Sequence, residues 1–247
     1  MAQIGRVSEI TRYPVKSMAG ISTESAVLEW HGLAGDRRFA FRRIDEAAGF
    51  PWLSASSLPE LLLYHPYGLD ENASEPLPTH VRTPAGALVG LWSDELRAEI
   101  TGRLGRSVEM MWFRNGLFDD GPVSVISQAT IDGISREAGL ELDRRRFRAN
   151  IVIESEHPEP FHEDEWVGKS LVFGDDDTGA AVWATQRDVR CMMLNLDPET
   201  AVQDGRVMKA VVRLNTNNAD VYAAVVRSGT IRVGDRLRVY VGAQPSR

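Results

Sequence analysis

Apolar residues in this chain come in short bursts, and that rhythm restricts the fold more than any other feature. Val108–Phe113, Ile151–Ile153, Leu171–Phe173 and Ala181–Trp183 are β-rich runs bounded by Gly, Asp or Pro. Ala210–Leu214, Val221–Val226, Thr230–Val233 and Arg236–Val241 continue the series. The last alternates charged and apolar residues, as a half-buried strand does. Gly234-Asp235 signals a tight turn between the final two runs. Many short strands at this spacing predict a barrel or sandwich rather than a doubly wound sheet. Helices are few. Ser93-Asp94 can cap one carrying Leu96, Ile100 and Leu104, and Ser127 another carrying Ile131, Ile134 and Ala138, with Gly139 as its stop. Pro59 can open a short helix through Leu61–Leu63. The expected class is mixed α/β, β-rich and barrel-like.

With 247 residues, 43% of them hydrophobic, the chain can bury one large core or two modest ones. The polar, glycine-bearing stretch Arg114–Pro122 is the expected boundary, giving units 1–114 and 115–247. A net charge of −7 argues against non-specific binding to nucleic acid or to an anionic membrane. The N-terminus lacks the pattern of a signal peptide, and no apolar run approaches the ~20 residues that span a bilayer. One cysteine and no export signal make the cytoplasm the expected compartment.

That cysteine, Cys191, cannot form an intrachain disulfide. It is either a small buried hydrophobe or a reactive or metal-binding thiol beside Arg190. Lys16 and Ser17, in Tyr13-Pro14-Val15-Lys16-Ser17, suit a phosphate oxygen or merely line a solvated loop. Arg37 and Arg38 lead into a strand, so at most one should face a given pocket, the other lying at the surface or beside Asp36. Arg144–Arg148 is the densest positive stretch. Read as a strand approach, it puts Arg146, Arg148 and Asn150 on one face, either as an anion site or as a solvated face. His162, among Glu163, Asp164 and Glu165, reads as a surface loop, and no hydrolase triad signature appears.

Taken in order, these segments resemble the MOSC superfamily, and more closely its two-part members with an N-terminal MOSC β-barrel domain. The matching residues are 13–17, Gly32–Arg38, Pro122–Ser127, Arg146–Asn150, Phe161 with Trp166–Gly168, Arg190-Cys191, Leu196-Asp197-Pro198 and Val233-Gly234-Asp235. The amidoxime reducing component and its bacterial relatives belong to this group. The resemblance implies a molybdenum-molybdopterin cofactor between the two parts, with Cys191 as the molybdenum-ligating, catalytic thiolate. It implies cofactor contacts from Lys16, Ser17 and Arg37 on one side, and from Ser127, Arg148, Asn150 and Arg190 on the other. Ala149 stands where the family usually has proline, Val189 where a small polar residue precedes Arg-Cys. Leu53–Pro59 lacks the usual arginine.

The activity implied is an oxidoreductase acting on small N-hydroxylated or N-oxide substrates. Clustered cysteines for an iron–sulfur centre are absent, so electrons would come from a separate donor protein. The alternative is a non-catalytic cofactor or sulfur carrier that uses Cys191.

Overall fold

The structure is a computed structural model that describes residues 2–46 and 49–240. The first half of the chain forms β1 (Ala2–Arg12), β2 (Ile21–Thr23), β3 (Ser25–Glu29), β4 (Gly32–Leu33) and β5 (Phe39–Arg43). It continues through β6 (His65–Tyr67), β7 (His80–Arg82), β8 (Leu88–Gly90), α1 (Asp94–Leu104) and β9 (Val108–Trp112). Next come β10 (Val123–Ser127), α2 (Gln128–Ala138), β11 (Ile151–Ser155), β12 (Ser170–Phe173) and β13 (Ala181–Val189). Last are α3 (Arg206–Asn215), β14 (Asn218–Arg227), β15 (Gly229–Arg232) and β16 (Arg236–Tyr240).

Seven strands close a barrel in the order β11-β10-β14-β13-β12-β16-β1, with β1 pairing back onto β11. Alternation fills it. Val123 and Val125, Ile151 and Ile153, Leu171 and Phe173, Val182 and Ala184, Val221 and Ala223, and Leu237 and Val239 share one core. In β1 the inward residues Ile4, Val7 and Ile10 are spaced by three, because bulges interrupt its register between Gln3 and Gly5 and between Val7 and Glu9. Gly5 is required there, since a Cβ would lie 2.4 Å from the Glu154 carbonyl oxygen. β1 thus belongs physically to the barrel built by the second half, across the division at residue 114 that the sequence pattern marks.

A second core lies under the rest of the first half. It gathers Val15, Met18, Phe39, Phe41, Leu61, Tyr64, Leu96 and Ile100 beneath β5, β9 and α1. A third covers the outside of the barrel, where Ile131 and Ile134 of α2 and Val207 and Val211 of α3 pack on Ile126 and Val152.

Ser93 caps α1 and Ser127 caps α2 by accepting from Leu96 N and Thr130 N, and Gly139 ends α2 in the left-handed region at φ 64°. Pro59 opens a 3₁₀ turn. One expectation fails. Ala210–Leu214, expected as a strand, belongs to α3. Its buried residues Val207, Ala210 and Val211 fall at i, i+3 and i+4, a period that a five-residue window cannot reveal. The Gly234-Asp235 turn exists, but it does not make a hairpin: β15 pairs with β3, while β16 joins β1 and β12. Val241 falls outside the described residues. No helix among the described residues is long and apolar enough to cross a membrane.

Candidate functional site

A cleft of about 290 Å3 opens between the barrel and the first-half core. Lys16, Ser17 and Arg37 line it from the first half, and Arg146, Arg148, Arg190 and Cys191 from the second. Six of the eight residues expected at a site, Lys16, Ser17, Arg37, Arg148, Arg190 and Cys191, therefore meet in one cavity.

The loop geometry is unusual. Ser17, Arg37 and Arg148 all adopt left-handed backbone, at φ 65°, 51° and 54°, although none is glycine. Such residues cost on the order of 1–3 kcal/mol each and persist only where surrounding contacts over-determine them. Asn150 supplies many of those contacts. Its Nδ2 donates to the Thr11 carbonyl and to Asp36, both at 3.1 Å, while its Oδ1 accepts from Ser124 N and Arg37 Nη1. Asp36 in turn accepts from Tyr13 N at 2.5 Å and pairs with Arg37. Asn150 is buried and lies behind the cleft, not on its wall. The strand reading of Arg146–Asn150 fails because Arg144–Phe147 is a 3₁₀ turn with Arg148 as its cap. Arg38 is neither at the surface nor beside Asp36; it is buried against Glu75, His31 and the Phe113 carbonyl.

Ser127 is also away from the cavity. Fully buried, it caps α2 and donates to Glu163 Oε2 at 2.8 Å. Glu163 itself is buried, which pushes its carboxyl up, so the stretch expected as a surface loop carries an interior carboxyl. His162 beside it stacks on His157 with ring centroids 3.9 Å apart.

Cys191 follows the end of β13 and is exposed, which excludes the inert buried reading. Its position is set by the 3₁₀ turn Met192–Asn195 that follows. Leu194 sinks into the third core and Leu196 into the second, so two hydrophobic anchors hold the loop across the cleft.

Most cleft cations already carry a carboxylate. Lys16 donates to Asp119 at 2.6 Å, Arg37 pairs with Asp36, and Arg146 donates to Asp197 at 2.7 Å. Arg190 pairs with both Asp188 and Asp220 and donates to the Phe147 carbonyl at 2.7 Å. Arg148 differs. Among the described residues it has no carboxylate partner; it donates to the Met18 carbonyl at 2.8 Å and lies 4.3 Å from the Tyr13 ring centroid. Burial, reinforced by nearby Arg37, lowers it to about 10, despite the opposing pull of Tyr13 and Asp36. Burial raises Tyr222, which shares the cleft with Asp188.

Asp119, Asp188, Asp220 and Tyr222 escaped the sequence reading. Asp188 with Arg190, and Asp220 with Tyr222, are i, i+2 pairs, the spacing that puts residues of a regular strand on one face. That much was visible; that β13 and β14 pair and bring the two faces together was not.

No group of three or more His, Cys, Asp or Glu side chains among the described residues is placed to hold a metal ion. A soft metal at Cys191 would have to bring most of its ligands with it. Among the described residues, Arg146 and Arg190 each retain a buried Nε–H without a protein acceptor and Arg148 has no carboxylate partner, so an anionic, metal-bearing organic group fits this donor set.

Fold and site together define a β-barrel protein whose single exposed thiol sits in an arginine-lined cleft between two cores. The chain belongs to the MOSC family: the MOSC domain matches residues 114–238 and the MOSC N-terminal beta barrel domain matches residues 4–67. It is 22% identical to mitochondrial amidoxime reducing component 2 of Bos taurus, over 95% of this chain and 83% of that protein. The crystal structure of the YuaD protein from Bacillus subtilis superposes with a TM-score of 0.51 at 13% identity, covering 96% of this chain and 95% of that one, a likeness of fold.

Proposed function

We propose that this protein binds a molybdenum-molybdopterin cofactor in the cleft and reduces small N-hydroxylated or N-oxide compounds, with electrons from a separate donor protein. The observation that carries the proposal is the exposed Cys191 thiol in the same cavity as the carboxylate-free Arg148 guanidinium. The similarity to an amidoxime reducing component supports the substrate class.

Bound there, the cofactor would supply the two-electron oxygen-transfer chemistry. The protein's own part is binding, orientation and electrostatics. Cys191 is the metal ligand, held by the Leu194 and Leu196 anchors. Arg148 takes the anionic end of the group, and Ser17 and Lys16 offer further donors from the opposite wall. Arg37 on the wall and Asn150 behind it fix the loops, and Ser127 acts further away as the cap of α2. Exposure of Cys191 also suits a sulfur or cofactor carrier; turnover of an N-hydroxylated substrate separates the reductase from a cofactor carrier, and metal content separates both from a sulfur carrier. Molybdenum per chain should be near one in protein from a host that makes the cofactor, and should vanish in Cys191→Ala. Absence of metal from both, even after reconstitution, would defeat both cofactor-binding readings and favour the sulfur carrier.

A further inference from the structure

Asp188 and Asp220 are ionisable side chains to which cofactor binding gives no task. Asp188 lies near the end of β13 and lines the cleft; Asp220 lies near the start of β14 and is fully buried behind it. One nitrogen serves both. Arg190 Nη1 donates to the two Asp220 oxygens at 2.9 and 3.1 Å and to Asp188 Oδ2. Two ionised carboxylates on one guanidinium would leave a net negative charge in a wall of low dielectric, and like charges this close resist joint ionisation. The charged neighbours make matters worse. Glu163 adds negative field at Asp220 and Asp120 adds it at Asp188, while the Tyr222 hydroxyl, as a hydrogen-bond donor, opposes the rise at Asp188 without adding a cation. Arg37, which acts on Tyr222, is already taken by Asp36.

We propose that the Asp188–Arg190–Asp220 cluster holds one carboxyl proton at neutral pH, and that Asp188 delivers it to the substrate as its N–O bond breaks. The proton belongs to the pair, and Asp188 is the member through which it leaves. Asp220 is a positioning residue whose charge, acting through Arg190, keeps the proton available. The delivery half rests on the reductase reading. The overall step balances as N–OH plus two electrons and two protons giving N–H and water. The electrons come from the donor protein, or a reduced viologen dye in its place. One proton comes from Asp188 and the other from solvent, which then recharges the pair through the cleft mouth.

Infrared spectroscopy of the metal-free protein tests the held proton without any turnover. At neutral pH, wild type should show the carbonyl band of a protonated carboxyl group, shifting in deuterium oxide and on aspartate-selective 13C labelling. The labelling separates it from buried Glu163. In Asp188→Asn and in Asp220→Asn one carboxylate remains for one guanidinium, so the band should vanish from both. Its absence from wild type, or its survival in either variant, would overturn the proposal. Delivery is tested on cofactor-loaded protein with reduced viologen and an amidoxime. Asp188→Asn should lose about 100-fold or more of its turnover along with the decline of rate at high pH, and Asp188→Glu should restore part of both. Wild-type turnover and pH profile in Asp188→Asn would overturn delivery. If wild type itself reduces no amidoxime, the reductase reading falls and delivery with it, while the band still decides the held proton.

Discussion

At the scale of single residues, the cleft is defined by which charges are already spent. Arg148 alone among its arginines lacks a carboxylate partner in the described structure, so it is the group a bound anion would neutralise. Inorganic phosphate should therefore raise the Tm of the metal-free protein, and Arg148→Met should abolish that rise while the fold persists. An equal rise in the variant, read by differential scanning fluorimetry, would place the anion elsewhere. The aspartates behave in the opposite sense to surface carboxylates. Burial raises both Asp188 and Asp220 above their ordinary 3.8, so the folded chain keeps a proton that the unfolded chain has released. Stability from this pair is accordingly present at low pH and lost as pH rises from the unfolded value through the raised folded values. Asp220→Asn should gain stability relative to wild type as pH climbs from about 4 to about 8, read from urea midpoints. A constant difference across that range would show that the pair does not titrate there.

At the scale of elements, α2 illustrates how a residue can be recognised for one purpose and serve another. Ser127 caps the helix and also satisfies Glu163, an interior carboxyl. Ser127→Ala should cost about 1–3 kcal/mol by chemical denaturation, since it removes a cap and strips a buried acceptor, while metal loading of the surviving folded fraction should be unchanged. Loss of metal without loss of stability would return Ser127 to the cofactor. The barrel strands were legible because alternation is a local property: Ile151 and Ile153, or Leu237 and Val239, announce an inward face by themselves. The run Ala210–Leu214 was not, because five apolar-rich residues fit either period and only the contacts of Val207 and Val211 with the barrel exterior decide it. Arg37 and Arg148 were found as residues but not as geometry. Their left-handed backbone is imposed by Asn150, Asp36 and the turn before Arg148, none of which a local rule anticipates. The aspartate pair was hidden for a third reason, since it exists only through the pairing of β13 with β14.

At the scale of the whole molecule, the first strand decides what can stand alone. β1 pairs with β11 along Gly5–Ile10 and with β16 along Ala2–Arg6, so it is the stave that closes the barrel. Residues 115–247 expressed alone would leave β11 and β16 with open edges and the pocket for Ile4, Val7 and Ile10 empty. That fragment should aggregate or unfold without cooperativity, and a peptide of residues 2–12 supplied in trans should restore a cooperative transition. A fragment that melts cooperatively without the peptide would show that six strands suffice.

The same closure sets a timetable for synthesis. Arg6 is the register partner of Arg236, so the contact that completes the barrel cannot form until every residue between the two has been made. Until β16 leaves the exit tunnel, β1 can pair within the barrel only with β11, and the edge it offers to β16 stays open. Non-local closure of this kind slows folding and prolongs the exposure of sticky intermediates. The cleft between the barrel and the first-half core is therefore complete only after β16 has been made and docked.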